Sequence, residues 1–302
     1  MKLFSYTKGG YTSVGMEFDG GRIDFNKAVR QWNRKNKQNI PEPLTLQDML
    51  ENGCCKKSFL EKLVNFIQKN KLADTCEVEP QFKFDVPIKK PQKILCLGLN
   101  YAKHAKEFGM IKPKFPLVFS KLPSSLLSHG KPVIIPAFEK GRVDFEIELA
   151  IVIGKKGKNI PLNQAQKHIA GYTIFNDMTA RTRQKSAMKS GKPWIIFKSY
   201  DTFAPMGPYF TPSDYIPDPH NLELLLTVNG KTKQHSNTSD MMMKVLDAVE
   251  YISHYFTLYP GDIIATGTPE GIDGVRDGDV MEATIERIGT LKNKVVKEKA
   301  RS

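Results

Sequence analysis

Two glutamates separated by a single residue, inside an apolar strand pattern, are the first residues in this chain whose type and spacing could do chemistry. In VDFEIELAIVIG a strand turns successive side chains to opposite faces, so Glu146 and Glu148 share one side while Ile147 and Leu149 take the other. From Ile147 to Ile153 the single charged residue is Glu148, which predicts a strand covered on both faces. Neighbouring carboxylates in such a place repel and raise one another's pKa unless a cation lies between them. A hard divalent ion, which prefers oxygen ligands, resolves the conflict. A sheet edge where both glutamates reach solvent is the competing reading.

Further groups fit the same chemistry. Asp177 ends the apolar run of GYTIFND, so it is either a helix cap or a third oxygen ligand at a strand end. Three carboxylates leave open coordination positions for water and substrate, as a working metal centre requires. In GLNYAKHAKEFG, His104 and Glu107 stand three apart and share a helix face, where a carboxylate orients the imidazole and makes it more basic. The same spacing also occurs on solvated helix faces. Lys198 closes the apolar run WIIF and either snorkels outward or points into the cavity with the acids. Arg181 and Gln184 share a helix face suited to a substrate carboxylate, or form an exposed flank. Thr268, in GTPEG after the strand GDIIAT, is presented by a turn that is otherwise an ordinary Gly/Pro connection.

The elements that must hold these residues read as follows. Short strands MKLFSY, TSVGMEF and GRIDF open the chain, followed by a helix over Asp24–Lys35, a helix capped by Thr45, and an amphipathic helix over Ser58–Lys69. Phe84–Lys93, with Pro87 and Pro91, reads as an extended connector. A boundary is therefore placed near residue 90, giving a small N-terminal accessory domain (1–89) and a catalytic domain (90–302). Beyond it, strands dominate: KILCLGL, PLVFSK, PVIIP, FEIELAIVIG, GYTIFND, PWIIFK, LELLLTVNG, GDIIATG and VMEATIERIG. Asn229–Gly230 marks a hairpin. Helices are expected at Tyr101–Phe108, Leu162–His168, Thr179–Ser190 and Asp240–Phe256. These are too few for regular βαβ alternation, so the class is α+β and β-rich, with a closed or folded-over sheet.

Composition narrows the function classes. No apolar run approaches the ~20 residues of a membrane span, and MKLFSYTKGG lacks the apolar centre of a secretory signal. Cys54, Cys55, Cys76 and Cys96 form no C-x-x-C pair, which suits a reducing, cytoplasmic setting. The charge of +13, from 45 Lys and Arg against 32 Asp and Glu, suits either nucleic acid or anionic metabolites. The basic residues are mostly scattered, with denser tracts at Arg30–Gln38 and Lys292–Arg301, and no nucleic-acid-binding motif accompanies them.

Taken in order, GLNYAKHAKE, DFEIELAIVIG, FNDMTAR, KPWIIFKSYDTFAPMGP, NLELLLTVNGK and GDIIATGTPEGI make the chain from about Lys93 to about Gly289 resemble the fumarylacetoacetate hydrolase family. The resemblance implies a mixed β-sandwich roll, a homodimer, and a Mg2+ or Mn2+ ion held by Glu146, Glu148 and Asp177. It implies that His104 and Glu107 form a dyad on a segment ordering over the substrate. It also implies that Lys198 lies beside the metal and that Arg181, Gln184 and Thr268 contact substrate. Thr182 departs from the pattern, since many members carry an acid there, which puts the local helix contacts in question.

The expected substrate is a small anionic 2-oxo acid, with the ion acting as a Lewis acid toward an enolate. Hydrolysis of a C–C bond in a 2,4-dioxo acid, acylpyruvate or fumarylpyruvate-like, is placed first. Oxaloacetate decarboxylation or tautomerisation, or isomerisation of a 2-hydroxydienoate, would use the same site. A basic, non-enzymatic binding protein is the alternative of a different class, and it predicts salt-sensitive nucleic-acid binding without metal. The enzyme reading expects neither a nucleic-acid nor a membrane partner.

Overall fold

The structure is a computed structural model and describes residues 1–107 and 115–299. Two of its N-terminal helices begin where the sequence supplies a side-chain cap. Asp24 accepts the Lys27 amide at 2.8 Å and starts helix Phe25–Asn36. Thr45 and Asp48 form a reciprocal capping box at helix Leu46–Glu51, with bonds of 3.1 and 2.9 Å. Helix Lys57–Lys69 buries Leu60, Leu63 and Ile67, three and four residues apart. Asn229 and Gly230 both take positive φ, 51° and 74°, and join strands Glu223–Val228 and Lys231–Asn237 in the expected hairpin.

Two large sheets organise the molecule, which is α+β and strand-rich. The larger one runs in the order Gly21–Asp24, Tyr11–Phe18, Lys2–Lys8, Tyr209–Pro212, Ile169–Asn176, Ile147–Ile153, Ile263–Ala265, Ile94–Gly98, Leu117–Lys121, with Lys83–Asp85 also pairing Lys2–Lys8. Most pairs are antiparallel, but Ile263–Ala265 and Ile94–Gly98 run parallel, so the sheet is mixed. The smaller sheet has the order Lys231–Asn237, Glu223–Val228, Val280–Ile285, Gly289–Lys297, Val133–Ile135. The N-terminal strands join the larger sheet through Leu3 opposite Phe210 and Phe4 opposite Tyr209.

Strand Ile147–Ile153 is buried at every position and separates two cores. Ile147, Leu149, Ile151 and Ile153 pack with Leu224, Leu226, Ala283 and Ile285 of the smaller sheet and with Val249 and Ile252 of helix Val245–Tyr255. Ala150 and Val152, on the opposite face, pack with Ile94, Cys96, Ile263 and the N-terminal helix residues Leu60 and Leu63. The pleat therefore puts Glu146 and Glu148 on the same face as Ala150 and Val152, at the end where that core stops.

Some expected elements differ in detail. PWIIFK is not a strand: Ile195–Lys198 is a 3-10 turn, closed by Phe197 N–H to Trp194 O and Ser199 N–H to Ile196 O, both 3.1 Å. A four-residue apolar run carries no periodicity that separates the two forms, and Ile196 is exposed rather than alternating inward. The helix expected over Thr179–Ser190 begins at Arg181, because Thr179 and Ala180 pair with Asp144 and Val143. The helix expected from Asp240 begins at Val245. Helix Ala102–Glu107 occupies the expected Tyr101–Phe108 segment, of which Phe108 lies outside the described residues. Arg301, in the basic C-terminal tract, lies outside them as well.

Candidate active site

Glu146, immediately before strand Ile147–Ile153, and Glu148, within it, face Asp177, immediately after strand Ile169–Asn176. The two strands are locked in register: Ile147 lies opposite Asn176, the Asp177 amide donates to Glu146 O at 2.8 Å, and the Glu146 amide donates to Asn176 Oδ1 at 2.9 Å. Among the described residues Asp177 caps no helix, the cap of helix Arg181–Lys189 being Ala180. One carboxylate oxygen from each of Glu146, Glu148 and Asp177 lies within 4.8 Å of the others, and all three residues are buried.

Cations of the protein already meet two of these acids. Lys198 Nζ donates to Glu146 Oε2 at 2.8 Å and Asp177 Oδ2 at 2.5 Å. Lys121 Nζ donates to Asp177 Oδ1 at 2.6 Å. Arg181 bonds to Glu146 Oε1, to Asp144 Oδ2 at 2.7 Å and to Gln184 Oε1 at 2.6 Å. Burial alone would raise the Glu146 carboxyl, but Lys198 and Arg181 outweigh it and hold it below the usual carboxylate range. Burial likewise opposes the charge on Lys198, while Asp177 and Glu146 raise its pKa. Burial lowers that of Lys121.

Glu148 is different. Among the described residues it has no ion-pair partner, and its Oε2 accepts only the Gly267 amide, at 2.8 Å. Burial, then Asp177 and Glu146, push its pKa well above the ordinary range. A buried all-oxygen donor set with one carboxylate lacking a counter-charge is what a hard divalent cation satisfies, so the residues present fit such an ion. Gly267 reaches Glu148 because it has φ +88°; a Cβ there would lie 2.9 Å from both Leu97 O and Asn100 Cβ.

The remaining expected residues gather around the same space, a cavity of about 50 Å³ whose walls include Glu146, Glu148, His104, Arg181, Gln184, Lys198 and Thr268. That is several-fold below the ~300–1,000 Å³ of drug-sized pockets. Leu99, Leu117, Phe119, Met188 and Trp194 complete its apolar side. His104 is 4% exposed, and its Nδ1 lies 3.0 Å from Glu107 Oε2. Glu107 does not line the cavity but accepts the Gly271 amide at 2.9 Å, tying the helix to the GTPEG turn. Thr182 Oγ1 accepts the Arg142 amide at 3.0 Å, so the departure at that position serves a backbone contact.

Three buried residues were not singled out from sequence. Asp144 bonds both Arg142 and Arg181; it stands two before Glu146 in VDFEIE, so the alternation rule could have included it. Lys121 ends LVFSK as Lys198 ends WIIFK, an apolar run closed by lysine. Gln234 lies between exposed Lys233 and His235 and leaves no local signal.

A family model described as fumarylacetoacetate (FAA) hydrolase C-terminal matches residues 93–296. The chain belongs to the fumarylacetoacetate hydrolase family. Among the family's proteins it is 39% identical over 263 residues to a Bos taurus protein named oxaloacetate tautomerase FAHD2A, mitochondrial, covering 84% of this chain and 80% of that one. A solved 2-hydroxyhepta-2,4-diene-1,7-dioate isomerase from Mycobacterium marinum superposes with TM-score 0.72 at 31% identity, covering 99% of this chain and 100% of that chain. A fumarylpyruvate hydrolase from Pseudomonas aeruginosa, solved in complex with Mn2+ and pyruvate, gives TM-score 0.66 at 35% identity over 72% of this chain and 92% of its own. Family enzymes thus include tautomerases, isomerases and hydrolases. No helix among the described residues is long and apolar enough to cross a membrane.

Proposed function

We propose that the protein is a divalent-metal-dependent enzyme that interconverts the keto and enol forms of a small 2-oxo acid of the oxaloacetate type. The observation carrying this reading is that buried His104, oriented by Glu107, lines one small cavity together with Glu146 and Glu148 of the acidic cluster. Proton transfer beside a carbonyl needs a base, a charge-stabilising centre and little room. A divalent cation held by Glu146, Glu148 and Asp177 would supply Lewis-acid stabilisation of negative charge on the substrate's oxygens.

With Nδ1–H donating to Glu107, His104 presents the Nε2 lone pair and takes a proton from C3 of the keto acid. The C–H electron pair becomes the C2–C3 double bond, and the carbonyl π pair moves to the C2 oxygen, which receives the proton back from the imidazolium. Lys198 adds positive charge beside that oxygen, while Arg181, Gln184 and Thr268 bind the substrate's other oxygens. Like the cation's identity, these roles are part of the proposal. C–C hydrolysis of an acylpyruvate, the reaction first expected from sequence, is the second reading. Its support is the likeness to the fumarylpyruvate hydrolase, and it would turn the same His104 lone pair on a water molecule.

The test follows decay of enol oxaloacetate and cleavage of an acylpyruvate, with protein stripped by EDTA and reloaded with Mg2+ or Mn2+. Reloading should restore acceleration of enol decay, and His104→Ala should lower it by about 10²–10⁴-fold. Acceleration that survives both EDTA and His104→Ala overturns the proposal. Cleavage without tautomerisation replaces it with the second reading.

A further inference from the structure

Among the described residues, the Thr268 hydroxyl hydrogen has no acceptor, although its oxygen is hydrogen-bonded and the side chain is 3% exposed. The reason lies in Gln234. This residue sits on the outermost strand of the smaller sheet, yet it is fully buried and reaches under the site. Its Oε1 accepts the amide of Ile147, the residue between Glu146 and Glu148, at 3.1 Å. Its Nε2 donates to Pro269 O and to Thr268 Oγ1, both at 2.9 Å. Turning the amide over would set Nε2 against an N–H and Oε1 against a carbonyl oxygen, so the backbone fixes its orientation.

An amide nitrogen can only donate. Thr268 Oγ1 must therefore accept from Gln234, and its own hydrogen is turned away from that contact, on a residue that lines the cavity. We infer that Gln234 is a positioning residue that makes Thr268 an obligate hydrogen-bond donor toward a carboxylate or oxo oxygen of the substrate. The inference rests on the reading above that a 2-oxo acid occupies this cavity. The Ile147 contact fixes which way the amide faces, and its other end sets the polarity of one substrate contact.

The experiment measures kcat, KM and Mn2+ affinity for Thr268→Val, Thr268→Ser, Gln234→Met and the Gln234→Met/Thr268→Val pair. Thr268→Val, which removes the donor, should raise KM by about 10-fold or more, and Thr268→Ser, which keeps the hydroxyl, should raise it clearly less. Gln234→Met should raise KM by about 5-fold, with kcat and Mn2+ affinity within about twofold. The double variant should match Thr268→Val, because without the hydroxyl there is nothing left to aim. Where Gln234→Met does not fold, Gln234→Glu keeps the Ile147 contact but offers Thr268 an acceptor, and should raise KM in the Thr268 background only. Effects that multiply in the double variant overturn the inference. So does a Thr268→Val protein with unchanged KM; if His104→Ala still loses turnover, the proposed function stands without it.

Discussion

At the scale of single residues, the site contains two kinds of buried charge, and opposite substitutions separate them. Lys198 is fully enclosed and serves Glu146 and Asp177 together. Lys198→Met should destabilise the EDTA-treated protein by about 1–3 kcal/mol, because it removes one of the two cations that each carboxylate meets and leaves Arg181 on Glu146 and Lys121 on Asp177. Glu148 has the reverse sign. Its raised pKa means that the folded state prefers the proton; stability is intact below the ordinary glutamate range and falls as pH rises above it. Glu148→Gln should therefore be neutral or stabilising at neutral pH in EDTA, while abolishing metal binding and nearly all turnover. Urea titrations with and without EDTA, alongside activity, check both; a Glu148→Gln protein with near-normal activity would remove the metal assignment.

The acids were legible because residue type and a two-residue spacing declare a shared strand face, and Asp177 was legible because it closes a second apolar run. Gln234 was not, because what distinguishes it is burial against distant segments. Nothing in KTKQHSN reports that one glutamine turns inward while both neighbours stay in solvent.

At the scale of elements, the alternation that places Glu146 and Glu148 depends on strand Ile169–Asn176 lying close on one side. Gly171 permits its next neighbour to approach: a Cβ there would sit 2.2 Å from Thr211 O and 2.7 Å from the Phe210 ring. Because Gly171 pairs with Pro212 at the far end of the strand from Asp177, Gly171→Ala should cost about 1–3 kcal/mol in stability. Chemical denaturation should show that loss. Mn2+ affinity should change little if the strand shifts only at that end. The strand itself was readable from its apolar run, although it begins at Ile169, two residues before the glycine that opens GYTIFND. The turn at Ile195–Lys198 was not, since a run of four apolar residues satisfies strand and helical turn alike, and tertiary packing chose between them. Lys198 thus reaches the acids from a tight turn rather than from a sheet.

At the scale of the whole molecule, a cation that fits the folded cluster and not the unfolded chain must stabilise the fold by mass action. At 100 times its Kd, Mn2+ should add about 2.7 kcal/mol and raise Tm, EDTA should reverse the rise, and Glu148→Gln should show none. Calorimetry reads all three. A Tm indifferent to Mn2+ and Mg2+ would count against the cluster as a metal centre. The β-rich class and the ordered motifs of the second two-thirds of the chain were visible in the sequence. The pairing of residues near the start with a strand some 200 positions later was not, because a long-range register leaves no mark in local pattern.

That pairing has a consequence for any shortened version of the protein. A fragment limited to residues 93–296, the stretch that matches the family model, would strip Leu3 and Phe4 from Phe210 and Tyr209. The main-chain groups they cover would be left open, beside Tyr209, whose ring now meets Phe4 and Phe84 edge-on. An open, greasy border of this kind invites another chain to lie down along it, so the fragment should clump where the intact polypeptide stays dispersed.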